Sequence, residues 1–198
     1  APFYSFRWQL ARKLEGNSVK LDDAIKAADL EEGDWRNIKL LVDIYSEKHR
    51  DREDLAYRLA QRYYRYFPDS YQLGSAYART LILTKRYQEA GDLLSSLVLL
   101  PYEGSSEGRL LYKEAKLLNA IEKMRANDFA GARKLISEAR LWPENLGAGK
   151  PYPEDLDTVV EDWLEANCLE RLGQSEESRK ILERLTGATR KPTLADKA

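Results

Sequence analysis

One cysteine, one histidine and one methionine in 198 residues leave little material for redox or metal chemistry. Cys168 alone cannot close an intramolecular disulfide or build a cysteine-rich metal site, and no metal or cofactor is expected. Charge of one sign is also lacking. With 32 basic and 33 acidic residues the sum is −1, so the overall balance gives no whole-chain reason to expect nucleic acid or an anionic membrane, and neither is an expected partner. The longest strongly apolar run, Leu93 to Leu100, is broken by two serines and is too short to span a bilayer. No basic-then-apolar leader is read at Ala1. The compartment stays open, with a cytoplasmic setting favoured.

Alternation of apolar and polar residues, the mark of a strand, is missing throughout. In its place the apolar residues recur at three and four. Trp35, Ile38, Leu41, Val42 and Tyr45 form one such face, and Leu55, Leu59, Tyr63 and Phe67 another. Further helices are expected over Leu110 to Met124, Phe129 to Ala139, Val159 to Leu172 and Ile181 to Leu185. Asp69 or Ser70, and Ser175 with Glu177 in the first turn, read as helix starts, because short polar side chains accept from orphan backbone donors. The count is ten helices in antiparallel pairs. Twelve tyrosines and four tryptophans suit packing between such helices with a polar tip outward.

The pairs repeat. When Ala56, Ala90 and Ala132 are aligned, an apolar or small residue follows at four and at seven, and a proline at eleven or twelve (Pro68, Pro101, Pro143). Twelve residues upstream lie Ile44, Ala78 and Ala120, each on the preceding helix. The spacings are 34 residues (56 to 90) and 42 (90 to 132). A fourth series runs from Val159 to Leu185 with Ser178 at the small position. An opening pair, Phe3 to Leu30, is weaker.

These features resemble the tetratricopeptide repeat, whose period is the shorter of the two spacings. Small residues belong where the two helices of a repeat cross closely. The resemblance implies an all-α fold, a right-handed α-α superhelix of helical hairpins in four to five units. It covers residues 1–198 as one domain, with long loops near 101–106 and 141–155 and a flexible tail over 187–198. The family's tryptophan and Leu-Gly positions are mostly absent, with Gly74 and Ala78 in that region of one unit.

A narrower resemblance rests on GDWR (Gly33 to Arg36), LLPYEGSSEGRLLY (Leu99 to Tyr112) and ARLWPENLGAGKPY (Ala139 to Tyr152). The combination is similar to bacterial repeat proteins in which the array often follows an aldose-epimerase-like β-sandwich. That implies a module of a larger bacterial protein.

Five candidate sites remain. In LWPENLGAGKPYPED, Leu141 to Asp155, the Gly-Lys pair suggests a phosphate loop. Such a loop needs a glycine where Glu144 stands and a hydroxyl where Pro151 stands, so the stretch reads as a connector. Pro143 stops a helix, Gly147 and Gly149 permit positive-φ turns, and Trp142, Leu146 and Tyr152 are expected to tuck onto neighbouring helices, with Asp155 or Asp157 capping the next one. Trp142, Glu144, Asn145, Lys150 and Tyr152 are its candidate ligand contacts. Glu103, Glu107 and Arg109 suggest an acid–base set, but read more simply as solvated or paired beside a Ser105 or Ser106 cap. His49 reads as a surface residue, Cys168 as a small core residue. The stretch RYYRYF, Arg62 to Phe67, turns Tyr63 and Phe67 inward and Arg62, Arg65 and Tyr66 outward rather than stacking bases.

The tetratricopeptide resemblance places partners in a groove lined by the first helices of successive pairs. By that alignment Gln72, Ser75 and Arg79, then Glu114 and Leu117, then Trp163, Asn167 and Glu170 face it, with Arg79 and Trp163 as anchors. No catalytic residue is assigned. The expected task is a non-catalytic scaffold that binds a protein, a peptide or a β-sandwich domain of its own parent chain. The alternative is an accessory domain of a carbohydrate-active protein whose Trp142 loop touches glycan.

Overall fold

The computed structural model describes residues 25–26, 34–47, 52–99, 106–152 and 156–188. Among them the regular structure is helical and no strand occurs. The helices are α1 Trp35–Glu47, α2 Glu53–Tyr64, α3 Tyr71–Leu83, α4 Tyr87–Ser96, α5 Glu107–Arg125, α6 Phe129–Ala139, α7 Val159–Arg171 and α8 Ser175–Ala188. These eight helices lie among the described residues; the sequence reading counts ten over the whole chain. The opening pair lies outside the described residues except for Ile25 and Lys26, which are helical. His49, Glu103, Ser105, Asp155 and residues 189–198 of the expected tail lie outside as well, while Gly187 and Ala188 belong to α8. Contacts divide the chain into two compact units, Ala1–Glu103 with Asn145–Gly147, and Gly104–Glu144 with Ala148–Ala198.

In the first unit α1 packs on both α2 and α3, α2 on α3, and α3 on α4. Ile38, Leu41, Val42 and Tyr45 of α1 meet Ala56 and Ala60 of α2, with Leu59 and Tyr63 packed against them, so both apolar faces read from spacing point into one core. Ser70 caps α3 by accepting from the Leu73 amide at 3.3 Å. Gly74 has no room for a side chain, since a Cβ there would stand 2.5 Å from a Leu97 methyl. In RYYRYF the expected partition holds: Tyr63 and Phe67 are half-buried while Arg62, Arg65 and Tyr66 are exposed.

In the second unit α5 packs on α6, α6 on α7 and α7 on α8. Leu117, Ala120, Ala132, Leu135, Ile136, Leu164 and Cys168 form its core. Cys168 is fully buried, and burial pushes its thiol pKa up, opposite to the shift that makes a nucleophile. Polar clamps surround that core. Arg140 of the α6 end holds Asp162 at 2.8 Å and Glu165 at 2.7 Å on α7, and Arg184 of α8 reaches the second Asp162 oxygen at 3.0 Å.

The aligned small residues are all buried: Ala56, Ala90, Ala132 and Ser178. So are the residues twelve before them, Ile44, Ala78, Ala120 and Ala166. Ser178 shows why. Its hydroxyl donates to the Ala166 carbonyl at 2.9 Å, a reach that requires the two helices to touch at those positions. Three helix pairs are joined by only three residues, and each link solves the same geometric problem identically. Lys85, Asn127 and Gly173 take positive φ of 62°, 61° and 78°, each five residues before a small position. The residue after each donates back to a carbonyl five earlier: Arg86 to Leu81 at 2.8 Å, Asp128 to Lys123 at 2.9 Å, Gln174 to Leu169 at 2.9 Å. This is the Schellman ending, which satisfies carbonyls that a helix terminus leaves orphaned.

Two reciprocal substitutions test that equivalence. Lys85→Gly relieves a left-handed lysine and is expected to stabilise the chain by about 0.5–1 kcal/mol. Gly173→Ala imposes the same strain and is expected to cost about 1 kcal/mol. Urea midpoints of the purified variants check both signs.

Candidate functional site

The loop after α6 carries the strongest motif. Glu144–Leu146 form a 3-10 turn, and Gly147 follows with φ 65°, whereas Gly149 does not take positive φ. Within the first unit the Asn145 side-chain amide donates to the Leu97 carbonyl at 2.6 Å and the Leu94 carbonyl at 3.0 Å. Its own carbonyl accepts from the Leu99 amide at 2.7 Å. These bonds close the last turn of α4, which has no glycine to cap it. Asn145, a candidate ligand contact, is therefore spent as a long-range helix cap, and Leu146 beside it is fully buried.

Trp142 is engaged too. In the second unit the Arg109 guanidinium lies 4.7 Å from the Trp142 ring centre and donates to the Ala139 carbonyl at 2.7 Å. The sequence reading has Arg109 solvated or paired; it is buried, 4% exposed, with Nε and Nη1 unpartnered. Burial lowers its pKa, opposed by the charges of Glu161 and Tyr112. Glu161 is 1% exposed and pairs with Lys113 at 2.7 Å. This set holds α5 to α7 and offers no dyad open to substrate. Ser106 makes no side-chain cap, and Asp157, not Ser106, supplies such a bond, accepting from the Val159 amide at the start of α7. Tyr152 was expected to tuck down; it is 74% exposed, and Glu144 and Lys150 are exposed as well. No phosphate cradle forms.

The groove residues divide sharply. Ser75 was expected at the surface, but it is 3% exposed with an unpaired hydroxyl, so it presents nothing to a partner. Gln72 and Glu114 are exposed and Arg79 is half-buried. Leu117 belongs to the core. Trp163, Asn167 and Glu170, by contrast, come together. They sit on α7 at a spacing of four and then three, and all three line one cavity of about 410 Å³ in the second unit.

Ile121, Met124 and Arg125 of α5 supply the facing wall, and Phe129 at the start of α6 closes one end. Leu164, a core residue, forms the floor, and Arg171 completes the α7 side. The position of Phe129 follows from the turn before it. Asn127 takes positive φ, Asp128 accepts from the Gly131 amide at 2.9 Å, and α6 starts with its first side chain turned to the cavity. That backbone bond and Lys123 hold the Asp128 pKa below the usual carboxylate value, so the cap stays ionised at neutral pH. Trp163 is 54% exposed, a large cost in uncovered ring area, and Val159 and Val160 one turn before it are exposed too.

Nothing in this cavity forms a nucleophile–base pair. Its acceptors are the Glu170 carboxylate and the Asn167 side chain, whose amide donates to the Trp163 carbonyl at 2.7 Å and whose oxygen has no partner among the described residues. No group of metal-ligating side chains occurs among the described residues. Ile121, Met124, Phe129 and Arg171 were not anticipated as site residues. Their signal was available only in part: Ile121, Met124 and Arg125 share a face of α5 at three and four, but which neighbour that face meets is a tertiary fact. No protein-family model, no curated protein and no solved structure matches the chain.

The loop's assignment as scaffold is checked by Asn145→Ala. It strands two carbonyls at the end of α4 and is expected to cost about 2 kcal/mol in denaturant unfolding. Lys150→Ala and Tyr152→Ala, at exposed positions, should move stability by less than about 0.5 kcal/mol.

Proposed function

We propose that the chain is a non-catalytic interaction module, a tetratricopeptide-like array that docks a protein segment in the cavity between α5 and α7. The observation that carries this reading is the half-exposed Trp163 standing over an apolar cavity whose size falls within the range of ligand pockets. A tryptophan at a surface hollow is the residue type most enriched where binding energy concentrates. The array reading is supported by α1 packing on both α2 and α3, by three identical turns, and by small residues at the crossing points. A right-handed superhelix of hairpins, and descent from a larger bacterial protein with a β-sandwich domain, are the finer form of the same proposal.

The glycan-binding alternative has less to stand on. A sugar platform needs a free aromatic face with polar groups beside it. The Trp142 face carries Arg109, and the Asn145 amide is committed to α4. Of the described aromatic residues in that stretch, Tyr152 alone is exposed.

Random twelve-residue peptide display on the immobilised chain tests the docking reading. Enriched peptides should bind the wild type and lose about tenfold or more in affinity on Trp163→Ala, with the helical circular-dichroism signal unchanged. Peptides indifferent to Trp163, or none enriched, would overturn it.

A further inference from the structure

The charges around this cavity say more about its occupant than its apolar walls do. Elsewhere on α6, α7 and α8 the arginines are held by carboxylates: Arg133 by Glu165, Arg140 by Asp162 and Glu165, Arg179 by Glu176 and Glu183, Arg184 by Asp162. Arg171 is the exception on these helices, and Arg125 at the end of α5 is another; neither has an ion-pair partner among the described residues. Both line the cavity and both are exposed. The Arg171 guanidinium lies 4.9 Å from the Phe129 ring centre, which holds its stem against the cavity end and leaves its donors outward. Position in the last turn of a helix accounts for one basic residue at each end. It does not account for both falling on the rim of one hollow. A single acid, Glu170, opposes them there.

Resting on the docking reading, we propose that the occupant is a peptide segment pairing one large apolar side chain with a neighbouring aspartate or glutamate. The apolar side chain enters between Met124, Phe129 and Trp163. The carboxylate reaches the Arg125 and Arg171 guanidinium groups, which accept it through two parallel N–H bonds where the fork aligns. The unbonded oxygen of Asn167 accepts a main-chain N–H of the segment and fixes its direction. Basic segments are rejected by the same two arginines, which makes the rim a selectivity device more than a source of affinity.

The test uses the peptides enriched by display, made synthetically with a fluorescent label. Each is titrated beside a counterpart in which Asp becomes Asn and Glu becomes Gln, against the wild type, Trp163→Ala and the double variant Arg125→Glu/Arg171→Glu. The acidic form should bind about threefold or more tightly than its amide counterpart, with the margin shrinking between low and high salt. The double variant should lose or reverse that margin. Should it fail to fold, Arg125→Gln/Arg171→Gln abolishes the margin without adding charge. Equal binding of acidic and amide forms, or enrichment of lysine and arginine, would overturn the charge selection. Continued sensitivity to Trp163→Ala would then leave the docking reading standing, whereas insensitivity would remove both.

Discussion

Two helices joined by three residues can pack along their length only if nothing bulky stands where they cross. That constraint organises the chain. At Ala90, Ala132 and Ser178 the second helix of a pair buries a small residue, Ala78, Ala120 and Ala166 are buried twelve residues earlier, and the Ser178 hydroxyl reaches the Ala166 carbonyl. A leucine at any of these places would hold the backbones apart and open the cores beneath. The link must also reverse the chain at once, which forces one residue into the left-handed region. Small residue and left-handed turn are therefore two ends of one requirement, and their fixed offset of five residues follows from it.

Much of this was legible without coordinates. The three-and-four spacing found the helices, and the twelve-residue offset found the crossings before any contact was known. What spacing did not reveal were the turns at Lys85 and Asn127. Glycine is the usual left-handed residue, and only Gly173 carried that signal; the other two are held there by the Schellman bonds. Asn145 was illegible for a different reason. It caps a helix that ended 49 residues earlier (96 to 145), and no local pattern encodes a partner so distant. Ser75 and Arg109 misled because polar residues on helices usually face water. Ser75 instead lies on a helix buried around most of its circumference, and Arg109 is drawn under Trp142 by an orphan carbonyl at the end of α6.

The candidate site was half legible on the same grounds. Helical spacing places Trp163, Asn167 and Glu170 on one face of α7, so their adjacency is readable from the sequence, while the cavity they line is a tertiary fact. Their companions come from a different helix pair, whose apposed face is decided by the packing of α6 between α5 and α7. Phe129 in particular enters through the turn chemistry at Asn127 and Asp128, not through any motif of its own.

Which side chains are used up and which are left over separates scaffold from site. Arg109 and Glu161 would be catalytic suspects by type, but each is buried and held through one end only, Arg109 by the Ala139 carbonyl and Glu161 by Lys113, with the other atoms sealed from solvent. Around the α7 cavity the balance reverses: ring area is uncovered, an amide oxygen is unbonded, and two guanidinium groups lack carboxylates. The magnitudes assign roles to these leftovers. Burying one large apolar side chain is worth about 1.5–3 kcal/mol, whereas a rim ion pair is worth about 0.2–1 kcal/mol. In the proposed docking, Trp163 and the apolar walls would set whether a segment binds, and Arg125 and Arg171 would set which one. Such a division would make affinity nearly independent of salt while leaving discrimination sensitive to it, because only the exposed charges are screened.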